Sequence, residues 1–287
     1  MEKIGIYTII TPEDEIFPKE LLKLKEVPQK LYCLGNLEFL NKRKVAVVGS
    51  RKISSYGKWA SLMVGEKISR CGITVVSGMA RGIDTYAHEG ALKDCGKTIA
   101  VLGCGIDRCY PAENWKIKDR IAREGLVISE YPPGMSPSRW SFPKRNRIIA
   151  ALSEMVVVAE AGLNSGALIT AELAMDLGKE VMAIPGNINN IHNMGSNRLI
   201  ADGAIPIVVI DDVLQNLGVC DEKFLEEINL SYEEKEILNI IRDRGELSVE
   251  KICEALNKKP SYINGIITIL EMKGVVYTSL GKVFVAK

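Results

Sequence analysis

Between residues 44 and 210, short and wholly apolar runs alternate with amphipathic stretches. The runs fall at 45–48, 73–76, 98–102, 126–128, 155–159, 180–184 and 206–210. They are continuous rather than alternating and rich in valine and isoleucine, the pattern of parallel strands covered on both faces. Glycine turns and stretches of helical period separate them. The predicted fold class is α/β: a doubly wound, mainly parallel Rossmann-like sheet, with ligands expected at the carboxyl ends of its strands. Upstream, residues 1–40 read as a short lead, with a brief helix over 20–25 and an extended segment over 28–32 running into the Gly35-Asn36 turn. Downstream, the sheet pattern stops near Asp211. Ser231-Tyr232-Glu233-Glu234 is a capping box opening a helix to about Arg242. Ser248 caps a second helix to about Leu256, and Ser261 starts a third with Ile263, Ile266, Ile267 and Leu270 on one face. Gly274 closes it, and 275–286 reads as a hairpin around Gly281. Three helices and a hairpin predict a small C-terminal winged-helix domain. The expected division is therefore 1–40, a sheet domain over 41–217, a linker over 218–230 containing the acidic run 221–227, and the tail domain over 231–287.

The turns after the predicted strands carry the unusual residues. Gly49-Ser50-Arg51 follows the first, and Ser77-Gly78-Met79-Ala80-Arg81-Gly82-Ile83-Asp84 the second. Gly103-Cys104-Gly105 follows the third, and Asn164-Ser165-Gly166-Ala167 comes shortly after the fifth. Glycines there let backbone approach a ligand closely, and the N–H groups of the following helix point at it. Arg51 and Arg81 add positive charge to the same rim, and the segment from Ser165 and Gly166 reads as a phosphate-binding helix start. Between the fourth and fifth strands, Trp140 to Arg147 places two aromatics beside three cations, Lys144, Arg145 and Arg147, in eight residues, with Arg139 just upstream. Cations in the first turn of a helix oppose its macrodipole, which points to an anion at that place. Phosphates along a groove and a flat platform, Phe142, for an unpaired base are what a single-stranded nucleic acid needs.

Composition narrows this. A formal charge of +1 excludes a generally basic protein, so a nucleic-acid site must be a local patch. Seven cysteines without a CxxC pair and two histidines argue against zinc and for reduced thiols in the cytoplasm. The N-terminus has no continuous apolar core, Glu13-Asp14-Glu15 interrupting it, and no run approaches a membrane span. No metal, cofactor or catalytic residue is assigned. The dinucleotide fingerprint is missing after the first strand, where only Gly49-Ser50-Arg51 stands, and a Walker A loop is absent. Asp84 and His88 sit one helical turn apart and Glu130 and Glu160 end strands, so a sensor or hydrolase of a small nucleotide at the same rim is the alternative. Against it, Asp84 suits a helix N-cap, and no G-x-S-x-G elbow is present. In the tail, Lys258, Lys259, Ser261, Tyr262, Asn264 and Thr268 are the solvent-side candidates of the third helix. Duplex DNA and protein both stay open as its partner.

Taken together, Val48 to Arg51, Ser77 to Asp84, Phe142 to Ser153, Ser165 to Ala171, Pro185-Gly186 and Gly195 to Ile200 resemble the DNA-processing protein A family, also called Smf. The resemblance runs in order from about residue 25 to 210, and the tail resembles the winged-helix domain that many members carry. It implies a cytoplasmic bacterial protein that binds single-stranded DNA, protects incoming strands in natural transformation and competence, and loads the RecA recombinase for recombination. It also implies a homodimer formed through the Rossmann-like domain. By position, Arg51 matches the arginine of the family's first glycine turn. Arg139 stands where members often carry lysine, Phe142 matches the phenylalanine proposed to stack on a base, and Lys144, Arg145 and Arg147 lie in the family's basic run. The larger helical N-terminal domain of many members has no counterpart in the short lead, and the P-G-G-x-G-T turn of a nucleotide-hydrolysing branch is replaced by Pro185-Gly186-Asn187.

Overall fold

The apolar runs form strands β3 (Lys44–Gly49), β4 (Thr74–Ser77), β5 (Thr98–Leu102), β6 (Leu126–Ser129), β7 (Met155–Glu160) and β8 (Glu180–Ala183). The structure, a computed structural model, describes residues 7–94, 96–219, 230–245, 247–273, 275–279 and 281–285. It divides into two units, Met1–Val213 and Leu214–Lys287.

In the first unit β1 (Thr8–Ile10), β2 (Leu31–Gly35) and β9 (Ile205–Pro206) complete a sheet of order β1-β2-β6-β5-β4-β3-β7-β8-β9. Pairing is parallel from β6 to β9 and antiparallel at β1–β2 and β2–β6. Helices α1 (Ser55–Arg70), α2 (Ile83–Asp94) and α3 (Trp115–Glu124) connect β3 through to β6. Helix α4 (Ser141–Leu152) then returns the chain to the other side of β3, and α5 (Gly166–Asp176), α6 (Met194–Ala201) and α7 (Asp212–Asn216) follow. The winding direction therefore reverses between β3 and β7, the switch point where such sheets open a crevice. Alternation within each strand divides the core. Ile99 and Val101 pack in one cluster with Ile148, Ala151 and Ala171. Ala100 and Leu102 pack in another with Leu92 and Ile121. Both faces being covered explains the unbroken apolar runs.

The lead is not an appendage. β1 and β2 extend the sheet, and Phe17, Leu21, Leu31 and Leu40 are buried in its core. Each such side chain contributes about 1.5–3 kcal/mol by burial. Lys44 fastens the segment, its Nζ donating to the carbonyls of Leu40 (2.7 Å) and Lys42 (2.9 Å) beside Glu20 (3.3 Å). The expected strand over 206–210 shrinks to Ile205–Pro206. The amides of Val208 and Val209 donate instead to the Asp212 carboxylate, at 2.7 and 2.9 Å, and turn the chain into α7.

The second unit contains α8 (Tyr232–Arg244), α9 (Val249–Leu256) and α10 (Pro260–Met272). It also has a sheet of order β10 (Leu247–Ser248), β12 (Lys282–Val285), β11 (Val276–Ser279). The Ser231–Glu234 capping box is present, and Ser248 caps α9. The third helix starts at Pro260 with Lys259 as N-cap, one residue before the expected start, since proline suits the first helical position. Ile263, Ile266, Ile267 and Leu270 pack with Ile237, Ile241, Ile252 and Val283. Residues 220–229 of the expected linker, and Gly274, lie outside the described residues. Among the described residues no helix is long and apolar enough to cross a membrane.

Candidate nucleic-acid interface

At the switch point lies a cleft of about 840 Å³. The turn after β3 contributes Ser50, Arg51 and Lys52, and the start of α4 contributes Arg139, Phe142 and Asn146. Ser165, Gly166 and their neighbours arrive from the turn after β7. Arg51, Lys52 and Arg139 are exposed, with no carboxylate at ion-pair distance among the described residues. The Arg51 guanidinium lies 5.1 Å from the centroid of the Phe142 ring, and the Tyr110 ring 5.3 Å from it. Phe142 occupies this place because position 103 has no side chain: a Cβ on Gly103 would lie 2.8 Å from Phe142 Cδ1. Helix α4 begins at Trp140 without a side-chain cap. Of its first N–H groups, that of Ser141 donates to Ser138 Oγ at 3.3 Å and that of Lys144 to the Trp140 carbonyl at 3.3 Å, and position 143 is proline, so the Phe142 amide is the donor left at the start of α4 for an anion.

The basic run does not act as one patch. Successive helical residues are turned by 100°, so neighbours in sequence point in different directions. Arg145 turns inward beneath the cleft and is 3% exposed. Its guanidinium donates to the carbonyls of Gly78 (2.5 Å) and Val101. Burial lowers the Arg145 pKa while buried Asp84 opposes the shift; burial raises that of Asp84, with Arg145 opposing in turn. A Cβ on Gly78 would meet the Arg145 guanidinium at 2.5 Å, so the glycine of this turn makes room for an internal cation. Lys144 and Arg147 turn to the other flank of α4 and line a separate hollow of about 340 Å³ with Glu26, Lys30 and Tyr32. Arg147 pairs with Glu130 at 2.5 Å and is largely buried, and Lys144 pairs with Glu26 at 3.2 Å. Lys144 and Arg147 therefore do not share the cleft of Arg51, Arg147 forming the structural ion pair with a strand-end carboxylate that its place inside the helix equally allows, and Arg145 reaches the cleft only from its floor. Arg81 also stands apart, exposed and paired with Glu113 at 2.8 Å.

The remaining polar residues have structural partners. Ser50 holds two turns together: its amide donates to the Glu160 carbonyl (2.7 Å), and its hydroxyl accepts from the Gly162 amide (3.3 Å). Ser165 caps α5 by accepting from the Ala167 amide. The Glu160 carboxylate receives the Ser54 amide (2.9 Å) and hydroxyl (2.6 Å) at the start of α1. Asp84 is not an N-cap; it lies inside the first turn of α2 and accepts from the Ala80 amide at 3.3 Å. His88 is buried away from the cleft, its Nδ1 2.7 Å from Thr98 Oγ1, and burial pushes its pKa down to about 3. His88 is thus committed to the interior, while Asp84, though nearly buried, reaches the floor of the cleft beside Arg145. Sequence reasoning missed Tyr110, whose approach to Phe142 spans thirty-two positions, and the lining residues Leu163, Ile191 and Met194.

Comparison with known proteins gives the family. The profile of the family described as DNA recombination-mediator protein A matches residues 8–218. DNA processing protein DprA of Streptococcus pneumoniae is 45% identical over 201 residues, 70% of this chain and 71% of its own. Protein Smf of Synechocystis is 34% identical over 287 residues, covering 91% of this chain and 72% of its own. The solved structure of the pneumococcal protein superposes with a TM-score of 0.70 at 43% identity, over 74% of this chain and 75% of the other. DNA processing protein A of Helicobacter pylori, whose structure was described for its single-stranded DNA binding mode, gives 0.68 at 35% identity, over 74% and 96%. With a sheet of this order, the cleft at its switch point and these matches, the chain belongs to the DNA recombination-mediator protein A family.

Proposed function

We propose that the cleft binds single-stranded DNA and that the protein acts as a recombination mediator without chemistry of its own. The observation that supports this most is the joining of exposed Arg51, Lys52 and Arg139 to Phe142 at an uncapped helix start. Phosphates meet the three cations and the Phe142 amide, and the Phe142 ring offers a face to a base. The finer reading follows the resemblance. The protein protects incoming strands in natural transformation, loads the RecA recombinase, works in the cytoplasm and forms a homodimer. Residues 231–287 serve as a winged-helix module. The direct contacts we assign are Arg51, Lys52, Arg139 and Phe142, by its ring and its amide; Arg145 and Arg147 support them through the fold.

The test is fluorescence anisotropy of a labelled oligothymidylate against a duplex of equal length, over a salt series. Single strands should bind well over duplex, with a log–log slope near −2 to −4 for about three to five neutralised phosphates. Phe142→Ala should cost roughly 1–3 kcal/mol with the slope unchanged. Equal affinity for duplex, or a flat salt response, would overturn the assignment.

A further inference from the structure

The loop from Gly186 to Met194, between β8 and α6, is anchored from within and apolar at much of its surface. One polar side chain, Asn193, is buried and holds it, while Asn187 and Asn189 are exposed. Asn193 is buried; with its amide oriented to satisfy both neighbours, it donates to Glu160 Oε1 at 3.0 Å and accepts from the Asn187 amide at 3.1 Å. Asn197, from the first turns of α6, brackets Gly186, accepting from its amide at 3.0 Å and donating to its carbonyl at 2.9 Å. The amides of Gly195 and Ser196 both donate to the Ala161 carbonyl, at 2.7 and 3.0 Å. The apolar residues face outward: Ile188 is 91% exposed, Ile191 69% and Met194 42%, joined from the turn after β7 by Leu163 at 53%.

Exposed apolar groups fixed by this many inward hydrogen bonds are held out by the fold, and a cluster of them marks a contact surface. Leu163, Ile191 and Met194 line the same cleft as Arg51, Lys52 and Arg139. They come from the β7 and β8 side of the switch point, whereas Arg51 and Lys52 come from the β3 turn and Arg139 from the lead-in to α4. A single strand has the same asymmetry, with charged phosphates along one edge and flat, weakly hydrated base faces along the other. We propose that Leu163, Ile191 and Met194 form a base-facing wall, so that the cleft requires nucleobases without selecting among them. Aliphatic contact with a base face has no hydrogen-bond code, so every base is accepted and a missing base is penalised. This inference rests on the single-strand reading of the cleft.

The experiment compares an oligothymidylate with an abasic deoxyribose-phosphate strand of equal length, for the wild-type protein and for Leu163→Ser, Ile191→Ser and Arg51→Ala. Circular dichroism and sedimentation accompany each variant; both serine substitutions are at exposed positions and leave the core filled. The wild-type protein should prefer the oligothymidylate by at least about tenfold, since stacked and apolar base contacts carry that much. Leu163→Ser and Ile191→Ser should each weaken oligothymidylate binding several-fold, with the abasic strand and the salt slope unchanged. Arg51→Ala should weaken both strands. Unchanged oligothymidylate binding in the serine variants, alongside a normal Arg51→Ala loss, overturns the wall and leaves the single-strand reading standing. An equal loss for both strands, or a shift in sedimentation, overturns the wall in favour of an interface between protein chains. Failure of the wild-type protein to bind either strand overturns the single-strand reading and the wall with it.

Discussion

The two flanks of α4 use the same residue types to opposite ends. On the cleft flank, Phe142 stands beside Arg51 and Arg139, cations brought from other segments and without a carboxylate partner among the described residues. On the outer flank, Lys144 and Arg147 belong to the helix itself and are answered by Glu26 and Glu130. Between them, Arg145 goes down into the protein and is answered by carbonyl groups and the field of Asp84. A cation that already has an anion gains little from a phosphate, because the competing carboxylate must first be displaced. The proposed binding flank is therefore the one whose cations lack carboxylate partners among the described residues, and density of positive charge in the sequence is a poor guide to it.

Arg145→Met should test this division most severely. It removes the donor to two buried carbonyls and leaves the Asp84 carboxyl without its cation, so stability in urea should fall by about 3–5 kcal/mol. A loss below about 1 kcal/mol would mean that Arg145 is not an internal strut. Next in size is an acid effect at His88, which the Arg145 charge also helps to hold neutral. Its folded pKa of about 3 lies below the ordinary 6.5, so the unfolded chain binds more protons between these values. Its contribution is therefore complete above pH 6.5 and is lost as the pH falls toward 3. By about pH 4 the loss should be roughly 3 kcal/mol. His88→Asn, which keeps a partner for Thr98, should flatten this part of the urea-stability profile against pH; an unchanged profile would show that His88 does not titrate there. The smallest effect separates the flanks directly. Arg51→Ala should make the salt slope of oligothymidylate binding shallower by about 0.7, whereas Lys144→Ala should leave it unchanged. Equal changes from the two substitutions would erase the distinction between the flanks.

The central strands were legible in the sequence to within one or two residues, because a strand buried on both faces has no polar position to blur its limits. The Ser231 capping box and the apolar face of α10 were legible for the equally local reason that cap and period are written in adjacent residues. The part played by β1 and β2 was not. They are short strands of mixed exposure, β1 at the edge and β2 beside it, and their place depends on the pairing of β2 with β6 more than ninety positions away. Arg51 and Phe142 stood out by type and place, and the cleft contains both. That Arg147 suits a structural ion pair with a strand-end carboxylate was legible from its place inside the helix, but the parting of Lys144 from Arg145 was hidden because helical phase tells which residues point together and not which direction is the interior. For Arg145, the deciding residue was Gly78, sixty-seven positions upstream. The apolar lining of the cleft was hidden for a related reason: the course of the loop carrying Ile191 and Met194 is set by buried Asn193 and its bond to Glu160, on a strand far earlier in the sequence.

The Glu160 carboxylate, the Ser50 backbone and the Ala161 carbonyl tie the turns after β3, β7 and β8 to one another and to the second glycine turn, where the Ile83 amide donates to the Ser50 carbonyl at 3.2 Å. The receptor is a preformed die. The ordering entropy of association then falls on the polymer, whose backbone torsions must freeze along the cleft, and hardly at all on the protein. On the proposed single-strand reading, affinity would be set by how pliant the strand is: a segment already stacked or hairpinned must melt before it can be cast in this shape, so nucleic acids would be sorted by their stiffness before any base is read.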